Sequence, residues 1–206
     1  MQPDHNTLLI VGAGGHASVV ADAALAMGAW SNVLVTETRE PKAEGEFLAG
    51  VARMDRDLLA TSQARVHVAI GDAPARERES AAWRQRLATV VHPQAAVSRF
   101  ALVGVGTFVA AQAVVAPRAS VGVSVIVNHG AVVDHDCRVG DYSHVAPGAT
   151  LGGAASIGAR VLLGAGARLL PRVTVCDDVV VGAGAVVIES IATPGVYAGV
   201  PARRVR

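Results

Sequence analysis

Residues 121–158 read VGVSVIVNHGAVVDHDCRVGDYSHVAPGATLGGAASIG. A branched aliphatic returns at every sixth place: Val121, Val127, Val133, Val139, Val145, Leu151 and Ile157. The series extends in both directions, from Val91 to Val187, seventeen positions without a miss. A helix repeats at 3.6 residues and a strand at 2, so neither alone has this period. Four residues after each aliphatic lies a small or compact side chain, as at Ala113, Ala119, Val125, Ala131, Cys137, Ser143 and Ala149. Two inward positions in six residues imply a short strand followed by a turn. The aliphatic points in and the compact residue fills the corner.

A second period, of eighteen, is superimposed. Gly104, Gly122, Gly140 and Gly158 share it, as do Gly130, Gly148, Gly166 and Gly184. Glycine reaches backbone angles closed to other residues, so both series are expected to mark turns. Three six-residue sides then make one coil of a triangular prism. Coils stack as parallel strands ~4.8 Å apart, each burying its apolar edge on its neighbours. Residues 91 to about 190 hold between five and six coils.

The pattern differs before residue 90. An apolar run at 8–11 precedes GAGGHA at 12–17, a helical stretch follows at 18–27, and a second strand is expected at 31–38. A short helix at 55–60, a third strand at 64–70 and a charged helix at 74–87 complete the series. Alternating strands and helices imply a small parallel sheet. The expected division is an α/β half-Rossmann domain over 1–88 and a parallel β-helix with a C-terminal loop over 89–206. Gly12, Gly14 and Ala17 fit G-x-G-x-x-A between strand and helix, and Glu37 follows twenty residues later. The domain is about half of a full dinucleotide fold. The free N–H groups and dipole of the helix N-terminus suit one pyrophosphate.

Composition narrows the partners. Charged residues make up 17% of the chain, net charge is +1, and Lys42 is the one lysine, which leaves no field for nucleic acid or an anionic membrane. Aromatics, at 3%, are too sparse for a base-stacking surface. Cys137 and Cys176 lie far apart and read as reduced thiols of a cytoplasmic protein. No apolar run reaches membrane length.

The [LIV]-G-x-x-x-x repeat resembles the hexapeptide acyltransferases, which fold as left-handed parallel β-helices. Ordinary crossover rules favour the other hand, so the handedness comes from the resemblance. The ending GVYAGVPARR, residues 195–204, looks like that family's closing loop around coenzyme A. LLIVGAGGHASVVAD, residues 8–22, is similar to the nucleotide-sugar loop of the bacillosamine N-acetyltransferase and sialic-acid O-acetyltransferase group. That resemblance implies a nucleotide sugar held by Gly12, Gly14, Gly15, His16 and Glu37. The surrounding TET departs from the group's aspartate-rich wording.

Against so apolar a repeat, the polar cluster at 134–144 calls for a reason. Pro117, His135, Gly153 and Pro171 share one column of the prism, which puts His135 at an outward corner. His144 shares a column with Phe108, Ile126, Leu162 and Val180, an outward apolar face expected to form a trimer contact. Asn128 falls near His144. His135 and His144 are nine residues apart, half a coil, so they belong to opposite sides of one prism. They meet only across a subunit boundary, His135 from one chain and Asn128 with His144 from the next.

The family pattern N…HE…H matches at Asn128, His135, Asp136 and His144, with aspartate in place of the usual glutamate. It implies His135 as general base toward a sugar amine or hydroxyl, with Asp136 or Asp134 on the other ring nitrogen. Free imidazole titrates near ~6.5, which makes neutral base available at pH 7. By the same resemblance acetyl-CoA is the co-substrate, Gly153 supplies an oxyanion N–H, and the coenzyme runs past His144, Gly164, Ala165, Gly182 and Ala183. Arg203 and Arg204 are candidates for its phosphates. Transfer is direct, since neither cysteine has a nucleophile's setting. No metal is implied. The expected protein is therefore a cytoplasmic homotrimer acting on a bacillosamine-type UDP-amino sugar. Sialic-acid O-acetylation and GDP-perosamine-type sugars are the alternatives within acetyl transfer. Outside it stand a γ-carbonic-anhydrase-like zinc hydrolase using His129, His135 and His144, and a silent sugar-nucleotide sensor.

Overall fold

The computed structural model of the chain describes residues 4–37, 46–55, 57 and 62–205. The N-terminal part holds β1 (Thr7–Val11), α1 (Gly15–Met27), β2 (Asn32–Thr36), β3 (Glu46–Leu48), β4 (Val51–Arg53), β5 (Arg65–Val68) and α2 (Ala73–Ala82). Its sheet runs β3-β4-β2-β1-β5, parallel except for the β3–β4 hairpin. The expected parallel sheet is present. The hairpin was not expected, because three-residue strands carry no periodicity; Gly50 at φ 79° between two apolar pieces is its trace in the sequence. The helix expected at 55–60 lies mostly outside the described residues, as does Thr38 at the end of the second expected strand.

α1 starts three residues before the expected place. Gly14 is its N-cap, and Gly28 closes it in the left-handed region, with its N–H donating to the Leu25 carbonyl. α2 begins where Asp72 accepts from the Ala75 N–H at 2.9 Å, and it ends at Ala82 rather than near residue 87. The chain then turns back so that Leu87, buried, bridges to Val66 at the sheet edge.

From Val90 the chain coils into three parallel sheets. The first face carries Val90–Val91, Phe108–Val109, Ile126–Val127, His144–Val145, Leu162–Leu163 and Val179–Val181. The second carries Ala96–Val97, Val114–Val115, Val132–Val133, Thr150–Leu151, Arg168–Leu169 and Val186–Val187. The third runs from Leu102–Val103 through Ser120–Val121, Arg138–Val139 and Ser156–Ile157 to Thr174–Val175. Ladder partners are eighteen residues apart throughout, for example Ile126 with His144. The six-residue aliphatic series and its compact companions form one continuous core, with Cys137 inside it. Two compact residues are hydroxylated and stitch coils: Thr107 donates to the Gly122 carbonyl at 2.8 Å and Ser143 to the Gly158 carbonyl at 2.7 Å.

The two glycine series turn out to serve different ends. Gly130, Gly148, Gly166 and Gly184 do adopt φ between 62° and 67°. Gly104 and Gly140 do not; a Cβ there would lie 2.4 Å from the backbone of Gly122 or Gly158 in the next coil. Positive φ in fact recurs at every sixth residue from Gly106 to Gly184, including Gln112, Arg118, Ser124, Asp136, Tyr142, Ala154, Arg160, Arg172 and Asp178. The coil imposes the left-handed turn and glycine only eases it.

One expected surface is corrected. Phe108 and Ile126, assigned from sequence to a trimer contact, are buried against Leu8, Ile10, Ala17, Val20 and Ala24 of the same chain. α1 and the sheet cover the upper part of the first face. Arg76 of α2 pins this seam: buried, it donates to the carbonyls of Ile70, Gly71, Ser124, Tyr142 and Ser143. Burial lowers its pKa to about 10, with the nearby charge of Asp72 opposing.

Candidate active site

Asp134, His135, Asp136 and Cys137 form one turn at the corner between the second and third faces, the Cys137 N–H donating to the Asp134 carbonyl at 3.3 Å. Residue i+2 of this turn needs positive φ, and Asp136 supplies it at 60°, a conformation Asp tolerates. That geometry folds the Asp136 side chain back toward its neighbour. The His135 Nδ1–H donates to Asp136 Oδ2 at 2.7 Å. Asp134 does not compete for the ring; its carboxylate accepts the His135 backbone N–H at 2.7 Å. The expected choice between the two aspartates is thereby resolved in favour of Asp136.

The far side of the imidazole lies over Gly153. A Cβ at 153 would stand 2.6 Å from His135 Nε2, so the glycine makes room for the ring. With Nδ1 protonated, Nε2 is the acceptor, on a side chain 55% exposed. Asp136 is itself gripped by Arg118, eighteen residues earlier, through Nε–Oδ1 at 2.6 Å and Nη2–Oδ2 at 2.9 Å. Arg118 first, then His135, holds the Asp136 carboxyl far below the usual carboxylate range.

The second group sits at the corner between the first and second faces. Asn128 Oδ1 accepts the His129 N–H at 2.8 Å, which orients the amide so that Nδ2 donates to His144 Nε2 at 3.1 Å. His144 therefore carries its proton on Nδ1. Burial, then the charge of Arg76, lowers its pKa to about 4, so it is neutral near pH 7. Gly164, Ala165, Gly182 and Ala183 continue down this same corner, below Asn128 and His129. Gly153 stays with His135 at the other corner. The expected coenzyme residues are thus divided between two corners of one chain, with the second face between them.

The nucleotide-sugar set is divided as well. Gly14 and Gly15 are exposed, with nothing near a notional Cβ, which leaves the α1 N-terminus open to a ligand. Gly12 has φ 119° and lies close against the Ala69 carbonyl, so it makes the tight turn. Glu37 pairs with Arg53 at 2.6 Å, and Arg53 stacks 5.2 Å from the Phe47 ring centre. His16 points into the seam. Its ring meets Phe108 edge-on at 5.5 Å, and its buried Nε2 has no hydrogen-bond partner among the described residues. Burial, followed by His67, His144, Arg76 and His129, lowers its pKa to about 3. The first turn of α1 thereby lies close to the His144 group. Sequence reasoning missed Arg118, His67 and Arg76; only Arg118 left a trace, in the column of eighteen that it shares with Asp136.

At the C-terminus Gly195–Ala198 extends the first face in parallel, and Arg203–Arg204 pairs back on it. Both arginines are exposed there. Among the described residues no group of three His, Cys, Asp or Glu converges to hold a metal, and no helix is long and apolar enough to cross a membrane.

Residues 7–81 match the family model described as the PglD N-terminal domain, and residues 154–189 match bacterial transferase hexapeptide (six repeats). No curated protein matches the chain. Solved structures do. The acetyltransferase domain of PglB from Neisseria gonorrhoeae FA1090, in complex with acetyl coenzyme A, is 34% identical and superimposes with a TM-score of 0.92, covering 98% of this chain and 100% of that one. A histidine-to-asparagine mutant of perosamine N-acetyltransferase from Caulobacter crescentus, in complex with CoA and GDP-perosamine, is 35% identical over 96% of each chain, with a TM-score of 0.88. WeeI from Acinetobacter baumannii AYE, at 19% identity and a TM-score of 0.79, shares the fold. The prism is a left-handed parallel β-helix and the protein an acetyltransferase. More narrowly, the chain belongs to the PglD-type family of hexapeptide-repeat sugar acetyltransferases.

Proposed function

We propose that the protein transfers the acetyl group of acetyl-CoA to the amine of a nucleotide-linked 4-amino-6-deoxy sugar, of the bacillosamine-type UDP class, with His135 as general base. The observation that carries this is the His135 imidazole, held by Asp136 on one nitrogen and presenting the other over Gly153. The amine attacks the thioester carbonyl, its proton passes to His135 Nε2, and the C–S bond breaks to release CoA. Asp136 balances the imidazolium formed. The Gly153 N–H is the oxyanion donor in this reading. A GDP-linked acceptor is the second reading, favoured by the similarity to the perosamine enzyme. Sialic-acid O-acetylation has no such observation behind it.

The assembly is a homotrimer with sites at subunit boundaries. Val114 and Val132 on the second face are only partly buried in one chain, and the two half-sites flank that face. Copies related by a threefold axis that faces this side bring His135 of one chain beside Asn128, His144, Gly164 and Gly182 of the next. Acetyl-CoA supply and two free cysteines fit a cytoplasmic setting.

Release of free CoA is measured with UDP-, GDP- and CMP-linked amino sugars. Turnover is expected with a UDP-4-amino-6-deoxy sugar, and turnover with the GDP sugar alone establishes the second reading instead. His135→Ala should lower kcat ~10²–10⁴-fold while acetyl-CoA still binds. Near-normal turnover in that variant removes the base, and a fully active monomer removes the boundary site.

A further inference from the structure

We infer that Arg118 is a positioning residue for the transfer reaction: its guanidinium fixes the Asp136 carboxylate, which in turn holds His135 in place over Gly153. The inference rests on the reading of His135 as the base. Three stacked turns supply the parts. Arg118 and Asp136 occupy equivalent left-handed positions one coil apart, at φ 62° and 60°, so their side chains leave the prism side by side. The contact is a planar two-point fork, Nε to Oδ1 at 2.6 Å and Nη2 to Oδ2 at 2.9 Å. Oδ2 is the same oxygen that accepts the His135 Nδ1–H, at 2.7 Å.

Two consequences follow from that shared oxygen. An ionised carboxylate can only accept, so the imidazole is confined to the tautomer with hydrogen on Nδ1 and the lone pair on Nε2. A carboxylate clamped at both oxygens cannot rotate, so the ring it anchors keeps one orientation although it stands on an exposed corner. Among the described residues Asp136 is the carboxylate that meets the ring; Asp134 turns its Oδ1 to the His135 backbone N–H instead.

The prism also provides a control. Arg160 and Asp178, again one coil apart at left-handed positions, form the same fork at 2.7 and 2.8 Å. There the residue before the second partner is Asp177, whose carboxylate accepts the Ala159 N–H at 2.9 Å. The fork is thus a device for joining coils, and at one corner it additionally carries an imidazole. Arg160 also lies 3.5 Å from Glu77 of α2, so the two forks differ in what else they join; a purely joining role nevertheless predicts that loss of either one touches stability and not kcat. A positioning role separates them.

The test compares kcat, KM and melting temperature for Arg118→Gln, Arg118→Lys, Asp136→Asn, both Arg118 variants combined with Asp136→Asn, Asp178→Asn and His135→Ala. Arg118→Gln is expected to lower kcat roughly 10- to 100-fold with little change in KM, the scale of a misplaced catalytic group. Arg118→Lys keeps the charge but not the fork and should fall between; it carries the test if the glutamine variant is poorly folded. Neither substitution should lower kcat further once Asp136 is Asn, since residues acting in series are not additive. Asp178→Asn should lower the melting temperature and leave kcat unchanged. If Arg118→Gln and Arg118→Lys retain wild-type kcat while His135→Ala is impaired, the positioning role is wrong and the base stands. An equal loss in the Asp136→Asn background also overturns it. Wild-type kcat in His135→Ala removes the base itself, and this inference with it.

Discussion

A single hydrogen at position 153 leaves space for the imidazole of His135. Gly153 is buried beneath the ring, and a methyl group there would stand 2.6 Å from Nε2 and 2.7 Å from Cε1. The obstructed atoms are the far end of an exposed side chain, not backbone, so the coil need not give way. Gly153→Ala is therefore expected to displace the ring and lower kcat roughly 10- to 100-fold at nearly unchanged melting temperature. Steady-state kinetics beside a thermal melt checks this; a large loss of stability with normal kcat would place the glycine in the fold instead. His135, Asn128 and His144 were legible as polar interruptions of an apolar repeat. The choice of Asp136 over Asp134 was not, because the sign of φ at residue 136 decides which carboxylate reaches the ring. The Asn128 amide orientation likewise depends on a backbone N–H that no residue pattern encodes.

At the scale of the element, the period of six made the strands readable, because every sixth side chain must enter one narrow core. Glycine was half readable. Two series share the eighteen-residue spacing and differ in cause, one by close approach of coils and one by left-handed turns. Gly140→Ala puts a methyl 2.4 Å from the Gly158 backbone, and overpacking of this kind costs about 1–3 kcal/mol. Gly148 has open space and φ 67°, so Gly148→Ala should cost about 1–2 kcal/mol through backbone strain alone. Among the described residues nine that are not glycine already occupy that conformation. The two are separated by Ala154→Gly, at φ 60°, which relieves the same strain and should raise the urea midpoint or leave it level. A marked fall for Ala154→Gly would mean that the turns are not strained. The β3–β4 hairpin stayed hidden because pieces this short hold their place through pairing with β2, a contact distant in sequence.

Over the whole molecule, the least legible feature was the seam between the α/β part and the prism. Phe108 and Ile126 look from sequence like a surface for another chain; α1 of the same chain covers them, and only the docking of two separately folded patterns reveals it. That seam also collects three histidines. His16, His67 and His144 have pKa values lowered to about 3, 4 and 4, in each case chiefly by burial. His67 is fully enclosed, its Nδ1–H donating to the Ala88 carbonyl at 2.9 Å and its ring edge-on to Phe108. A folded state that refuses protons which the unfolded chain accepts is most stable above the unfolded pKa of 6.5 and weakens as pH falls from there toward 4. Each such histidine adds a slope of about 1.4 kcal/mol per pH unit in that window. Asp136 and Asp178, held low by Arg118 and Arg160, act only at more acid pH, so the window belongs to the histidines. The urea midpoint should therefore fall steadily between pH 6.5 and 4.5, and His67→Gln should remove about one proton's share of the slope. Protonation would set new cations beside the buried Arg76, so hydrogen exchange in α1 and β1 should quicken in acid before exchange in the prism strands does. A midpoint independent of pH across that interval, or an unchanged slope in His67→Gln, would mean that the seam tolerates charge and that its neutral histidines do not govern how the two halves hold together.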